Sequence, residues 1–392
     1  MPSRRELLAG AGAGLLLGLV PGLSVAALPG GRRLVVVLLR GGLDGLHAVP
    51  PIRDPDYAQA RGSLALPEGE VLPLEAPFAL HPALAPLLPY WQGSELAIVH
   101  AVASPYRERS HFDGQDMLEG GGTRPHELSD GWLNRALDSL GAGRGVALAV
   151  AQGLPLILRG ATPASSWAPS PLPGLPAGLV EKVAALYAGD ALLATAFEEG
   201  VQANVTAGEA MADEPPVRGR LRDFPALAHA AGHLLAAAEG PRVAVLELGG
   251  WDTHAGQGLT QGRMADSLAR LAGGLDALAK ALGPAWRDAV VVAVSEFGRT
   301  VAANGTGGSD HGTGGVALVM GGRVAGGAVL GQWPGLAPNA LYQGRDLRPT
   351  TDLRAVLKAV LRDHLGVGPA TLDTTVFPHS AGVAPLAGLI RT

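Results

Sequence analysis

The chain contains no cysteine. Disulfides, thiolate metal ligands and cysteine nucleophiles are therefore excluded. Aromatic residues make up only 4%, which leaves few platforms for stacking bases or sugars. Basic charge is not in excess: the formal net charge is -5, the wrong sign for a nucleic-acid surface. Long apolar runs are also scarce. The one near the N-terminus, Leu7 to Val20, is too short and Gly-rich for a membrane span.

What is present is enough apolar material for a large core. With 392 residues, 47% of them hydrophobic, the chain needs no covalent staples to fold. The N-terminus has the charged, apolar and small-residue regions of a signal peptide, ending near Ala26-Ala27. The pair Arg4-Arg5 marks it as a twin-arginine signal. Residues 1–27 are thus expected to address the folded chain to the twin-arginine export machinery and then to the periplasm or beyond.

From residue 28 onward, short Val- and Leu-rich runs alternate with helical patterns. Strands are expected at 32–39, 96–102, 146–150, 243–248, 289–294 and 316–320. Helices are expected at 81–91, 110–119, 179–204, 222–238, 259–282 and 351–365, the last capped by Thr350 or Thr351. Residues 52–80 and 158–175 read as long Pro-rich loops. This alternation predicts an α/β fold with a mostly parallel sheet and helices on both faces. It is read as a single domain over 28–392 with a helical insertion near 176–240.

Three clusters of charged residues follow apolar strands. Asp44 closes Arg40-Gly41-Gly42-Leu43-Asp44. Glu247, Asp252 and His254 lie in Glu247-Leu248-Gly249-Gly250-Trp251-Asp252-Thr253-His254. Glu296 and Arg299 lie in Ser295-Glu296-Phe297-Gly298-Arg299-Thr300, with Asp310-His311 close behind. In open α/β sheets the loops at the carboxyl ends of strands share one edge, where ligands bind. A shared metal-dependent site is expected there. Carboxylate oxygen with imidazole nitrogen suits zinc, iron or manganese better than calcium.

Each of these residues has an ordinary alternative. Asp252 can cap a turn with His254 on the surface, and Asp44 can be a turn residue. Glu296 and Arg299 can form a buried ion pair. Arg299 can instead bind a phosphate or sulfate oxygen bidentately. Asp310-His311 can sit on a mobile loop, although the glycines around the pair allow close approach to a ligand. Ser110, in Arg109-Ser110-His111-Phe112-Asp113, is either a helix cap or a nucleophile stabilised by the helix dipole. His111 is either a ligand or a partner of a backbone carbonyl.

The motifs Leu39 to Gly45, Arg109 to Asp113, Gly249 to His254, Ser295 to Thr300 and Asp310 to Gly312 resemble, in this order, a bacterial family catalogued as domain of unknown function 1501. That family is similar to the alkaline-phosphatase and sulfatase superfamily. The resemblance implies that fold and a two-metal centre. It carries metal-ligand roles onto Asp44, Glu247, Asp252 and His311, with His254 nearest to a further imidazole position. Where the superfamily has an Asp-His pair, this chain has Glu296-Phe297 and so lacks one imidazole. Ser110 matches the nucleophile position. Ala103 stands where a formylglycine precursor would be needed, so that chemistry is not expected.

The expected function is an exported metal-dependent hydrolase of phosphate or sulfate esters. Asp44, Glu247, Asp252, His254, Glu296, Asp310 and His311 are its metal-ligand candidates, and Ser110 and Arg299 its catalytic candidates. Zinc is the first choice of divalent metal, with magnesium, manganese and calcium left open. The substrate would be an anionic small-molecule or polymeric ester. The alternative is a non-catalytic binding or scaffold protein of the cell envelope on the same fold.

Overall fold

The apolar run Arg33–Arg40 (β1) buries both faces. Leu34, Val36 and Leu38 enter one hydrophobic cluster, and Val35, Val37 and Leu39 enter another. A strand buried on both sides belongs in the middle of a sheet covered by two helical layers. That is where the computed structural model, which describes residues 31–169, 177–210 and 223–391, places it.

The other strands are β2 (Leu96–Ala103), β3 (Ala147–Val150), β4 (Ser165–Trp167), β5 (Val243–Gly249), β6 (Ala289–Ser295), β7 (Gly315–Met320), β8 (Val329–Leu330) and β9 (Thr351–Asp352). Their spatial order is β8-β2-β7-β6-β1-β5-β3-β4, with β9 also paired to β2. Within this sheet all pairings are parallel except those of β7, which runs antiparallel to both β2 and β6; a separate antiparallel pair joins Leu72–Pro73 to Ala79–Leu80. The expected α/β class is the observed one. The exception has a local cause. Gly298 and Gly312 exchange backbone hydrogen bonds with each other's neighbourhood, so the chain turns straight back from β6 into β7 without a crossover helix.

Among the described residues the α-helices of seven residues or more are α1 (His111–Gly120), α2 (Trp132–Ser139), α3 (Ala177–Tyr187), α4 (Ala191–Ala210), α5 (Phe224–Ala236), α6 (Arg263–Leu282) and α7 (Leu353–Ala359). Trp132, Leu133, Leu137, Val356 and Val360 cover one face of the sheet. Phe224, Leu235, Leu268, Leu271, Leu275 and Leu278 cover the other. Hence α5, expected inside an insertion, belongs to a core layer. The helix expected over 179–204 is two helices, because Gly189-Asp190 interrupts it and Asp190 accepts from Leu193 N at 3.1 Å. Asp352, not a threonine, caps α7 through Arg354 N at 2.8 Å. The segment expected to be helical at 81–91 is a 3-10 turn, Pro82–Leu87, running into a short helix, Leu88–Gln92. Among the described residues no helix is long and apolar enough to cross a membrane. The expected signal at 1–27 lies outside the described residues.

Two buried histidines give the core a defined acid response. Burial pushes His100 and His364 down to about 4, against the opposing effect of backbone hydrogen bonds at Val49 and Arg33. Both are neutral in the folded chain at pH 7. As the pH falls through about 6.5, the unfolded chain takes up protons that the folded chain refuses until about 4. Stability is therefore lost between pH 6.5 and 4, by at most about 3 kcal/mol per histidine. Urea unfolding across that range should show the decline, and His364→Gln should make it shallower, His100 still contributing its share. An unchanged slope in that variant would remove His364 from the explanation.

Candidate metal centre

The strand order brings the motif loops together. β6, β1 and β5 are adjacent and parallel, so the segments after Ser295, Arg40 and Gly249 leave the same edge. β2 runs the same way and delivers the segment that leads into α1. β7 runs the opposite way, so the residues before it, Asp310 and His311, begin at that edge too. A short bridge between Arg299 and His311 fixes their relative position.

Four side chains meet there. Asp252 Oδ1 lies 2.9 Å from His254 Nε2, 3.3 Å from His311 Nε2 and 3.5 Å from His111 Nε2. His254 Nε2 and His311 Nε2 are 3.0 Å apart. The candidate ligand atoms of His111, Asp252 and His311 all lie within 4.8 Å of one another.

The other nitrogen of each ring is already committed. His111 Nδ1 is 2.8 Å from Glu296 Oε1, His254 Nδ1 is 2.8 Å from Asp310 Oδ1, and His311 Nδ1 is 2.8 Å from the Arg109 carbonyl. Carboxylates and carbonyls only accept, so each Nδ1 carries a hydrogen and each ring turns its Nε2 toward the others. Nitrogen donors and a carboxylate oxygen crowded together in this way form a set that a cation among them would satisfy. His111 Nε2 is buried with no hydrogen-bond partner. A tetrahedral zinc site with bonds of about 2.0–2.1 Å has donor atoms about 3.3 Å apart. Asp252 Oδ1 stands at close to that spacing from the Nε2 atoms of His311 and His111, at 3.3 and 3.5 Å, so these three donors fit zinc, and His254 Nε2 lies against Asp252 and His311 beside them. Rings oriented by a carboxylate or carbonyl are the usual support for such a metal.

The surroundings hold this arrangement rigid. Glu296 is 1% exposed and also accepts from Gly41 N at 2.8 Å and Ser295 Oγ at 2.8 Å. Burial works to raise its carboxyl, but the His111 bond and these donors hold it below the ordinary carboxylate value. Asp252 is held low in the same way, with Arg299 Nη1 at 2.7 Å outweighing partial burial. The Glu296 carboxylate raises His111, whereas burial lowers His311. Phe297, the residue standing where an imidazole was missing from the expected pattern, packs its ring on His111 and His311, with centroids at 4.8 and 5.1 Å. A Cβ on Gly42, at φ +71°, would lie 2.8 Å from that ring, so the glycine makes room for it. Arg109 adopts a left-handed φ of +64°, uncommon for a residue other than glycine, and Asp346 anchors its guanidinium at 2.9 Å.

The remaining candidates are placed elsewhere. Asp44, 1% exposed, accepts from Arg61 at 2.7 Å and Gln257 at 2.8 Å. Its buried ion pair accounts for its position. Glu247 bonds Arg40 at 2.6 Å. Glu296 and Asp310 face the Nδ1 side of rings, not the shared centre. Arg299 is wholly buried, bonding Asp252 and Ser309, so it does not face solvent where an anion would arrive. Ser110 caps α1 by position but makes no cap bond; its amide donates to the Tyr106 hydroxyl at 3.0 Å, and that hydroxyl donates to Asp113 at 3.2 Å. His111 supplies the imidazole that sequence spacing did not assign, since it comes from a helix start and not from a strand end.

The profile of a family described as proteins of unknown function (DUF1501) matches residues 75–373. The chain belongs to the DUF1501 family. No curated protein matches it. Among solved structures, the C-terminal periplasmic domain of EcEptC from Escherichia coli is similar at 11% identity and a TM-score of 0.42, covering 92% of each chain. A complex of the same domain with Zn gives 11% identity, a TM-score of 0.39 and the same coverage. Ps i-CgsB in complex with k-i-k-neocarrahexaose gives 10% identity and a TM-score of 0.41, covering 90% of this DUF1501 chain and 77% of the other.

Proposed function

We propose that this chain is an exported, metal-dependent hydrolase of phosphate or sulfate esters with an alkaline-phosphatase-like architecture. The observation that carries the proposal is the convergence of ligand atoms of His111, Asp252 and His311, all within 4.8 Å of one another, with His254 Nε2 set against the last two. These residues would hold a divalent cation, zinc before magnesium, manganese or calcium. When bound, zinc supplies Lewis-acid polarisation of an ester oxygen and a lowered pKa for bound water. The chain's own residues do the rest. Glu296, Asp310 and the Arg109 carbonyl orient the three rings. Arg299 holds Asp252 in register. Ser110 stands at the N-terminus of α1, where the helix dipole favours developing negative charge. Asp252 and His254 keep 44% of their side chains exposed, so one side of the cluster is open to an ester.

Hydrolysis of p-nitrophenyl phosphate and sulfate, measured beside metal content, tests this reading. A zinc-loaded wild type should turn over one of these esters, and chelation should abolish it. Ser110→Ala should keep its metal. It should lose turnover if the hydroxyl attacks and retain much of it if water does. One feature favours the alternative, a non-catalytic envelope protein: four protein donors can close a coordination sphere, as in structural zinc sites. Full zinc occupancy without hydrolysis of either ester would decide for it.

The export proposal has its own test. Arg4→Lys with Arg5→Lys should leave the folded precursor in the cytoplasm. Unchanged delivery of this double variant would contradict use of the twin-arginine pathway.

A further inference from the structure

We infer that Arg345, backed by Arg109, receives the tetrahedral oxyanion of the ester, a task for which the buried Arg299 is out of reach. This assignment rests on the metal-dependent reading above. An anion arriving at the centre needs a positive charge that is fixed, accessible and not already matched by carboxylates. Arg299 and Arg61 are inaccessible. Arg40 is already matched: its one guanidinium meets two carboxylates, Glu119 at 2.8 Å and Glu247 at 2.6 Å. Arg109 and Arg345 are in the opposite position. They share a single carboxylate, the wholly buried Asp346, with Arg109 Nε 2.9 Å from Oδ2 and Arg345 Nε 2.7 Å from Oδ1. Two guanidinium groups on one carboxylate leave one positive charge uncompensated. Arg345, with 47% of its side chain exposed, presents that charge to solvent.

The local backbone sets Arg345 beside the centre. Gln343 at φ +53° and Gly344 at φ +66° are the two left-handed residues of a tight turn, closed by Arg345 N donating to the Tyr342 carbonyl at 3.1 Å. Just after the turn, Asp346 bridges to Thr300, and the Arg345 carbonyl accepts from Val301 N at 3.2 Å. The turn is thus fastened to the segment that follows Arg299. From there Arg345 Nη2 donates to the His311 carbonyl. That bond is to the backbone of His311 and not to its ring, so the guanidinium lies within one residue's length of His311 Nε2 and leaves the ligand atoms untouched. Arg109 reaches the same residue through its own carbonyl, 2.8 Å from His311 Nδ1, and directly precedes Ser110. With Nε and Nη2 of Arg345 engaged, Nη1 has no partner among the described residues. A tetrahedral oxyanion presents several oxygens, so one can lie at the cation while another accepts a charge-assisted hydrogen bond from that nitrogen.

Calorimetric titration of sulfate and of inorganic phosphate into the full chain, at constant ionic strength, tests this without needing activity. Wild type, Arg345→Ala and Arg345→Lys are compared with and without stoichiometric Zn²⁺. Zinc uptake should be the same in all three, because Arg345 touches only the backbone of His311. Asp346 keeps Arg109 as its partner in both variants, so the fold should persist. The zinc-loaded wild type should bind at least one of the anions, and the tighter of the two names the ester class. Arg345→Ala should weaken that binding about tenfold or more, as expected for loss of a hydrogen bond from a charged group. Arg345→Lys should restore only part of it, since an ammonium lacks the planar fork. Without zinc the anion has lost its other anchor, and the effect of Arg345→Ala should shrink. Equal anion affinity in wild type and Arg345→Ala, or no binding of either anion by the zinc-loaded wild type, overturns the assignment and leaves the metal-dependent reading standing. An equal loss with and without zinc also overturns it, because the arginine would then hold the anion away from the centre. No zinc uptake by the wild type overturns both.

Discussion

Replacing His111, His254 or His311 by alanine is expected to weaken zinc binding on the order of several hundred-fold. Structural zinc in small domains is worth roughly 10–16 kcal/mol over about four ligands, so one ligand carries on the order of 3 kcal/mol. Glu296→Gln and Asp310→Asn remove groups that orient a ring without touching the shared centre. They should weaken binding only about tenfold to a hundredfold. Glu247→Gln should leave it unchanged, because Glu247 is committed to Arg40. Competition against a chromophoric chelator gives all these constants. The ranking matters more than any single value. A His111→Ala chain that binds zinc like wild type would remove His111 from the ligand set.

Breaking the Arg61–Asp44 pair should unfold the chain far more readily without changing its metal. Both side chains are essentially inaccessible, at 0% and 1% exposure. Removing one member of such a pair leaves a buried charge uncompensated, a loss of about 3–5 kcal/mol. Asp44→Asn and Arg61→Met should therefore each lower the urea midpoint sharply. The double replacement Asp44→Leu with Arg61→Met should recover much of the loss, since two apolar groups leave nothing unpaired. Zinc stoichiometry, measured in whatever remains folded, should stay at the wild-type value. A stable Asp44→Asn chain with depleted zinc would make Asp44 a ligand after all.

The contrast between these two outcomes also marks where sequence reading reaches its limit. Strand identity was legible at β1, β5 and β6 because continuous β-branched runs bury both faces, and the shared sheet edge followed from their parallel pairing. Asp252, His254 and His311 lie on loops at that edge and come together. What a linear pattern does not contain is the partner of a charge. Asp44 and Glu247 follow the same rule of position, yet Arg61 and Arg40 reach them from elsewhere in the chain. His111, weighed in the sequence as a ligand or a partner of a backbone carbonyl, could not be assigned there for the opposite reason. It opens a helix, and the turn that points it inward depends on the left-handed Arg109 and on the bond to Glu296 far along the chain. The antiparallel return of β7 was equally invisible in periodicity, because it is set by two glycines that let backbones touch.

Diffraction from zinc-loaded crystals, recorded on both sides of the zinc absorption edge, tests the central claim most directly. The account predicts one anomalous peak, within about 2.0–2.2 Å of the His111, His254 and His311 Nε2 atoms and an Asp252 oxygen. A peak coordinated by Asp44 or Glu247, or none among these four side chains, would contradict it.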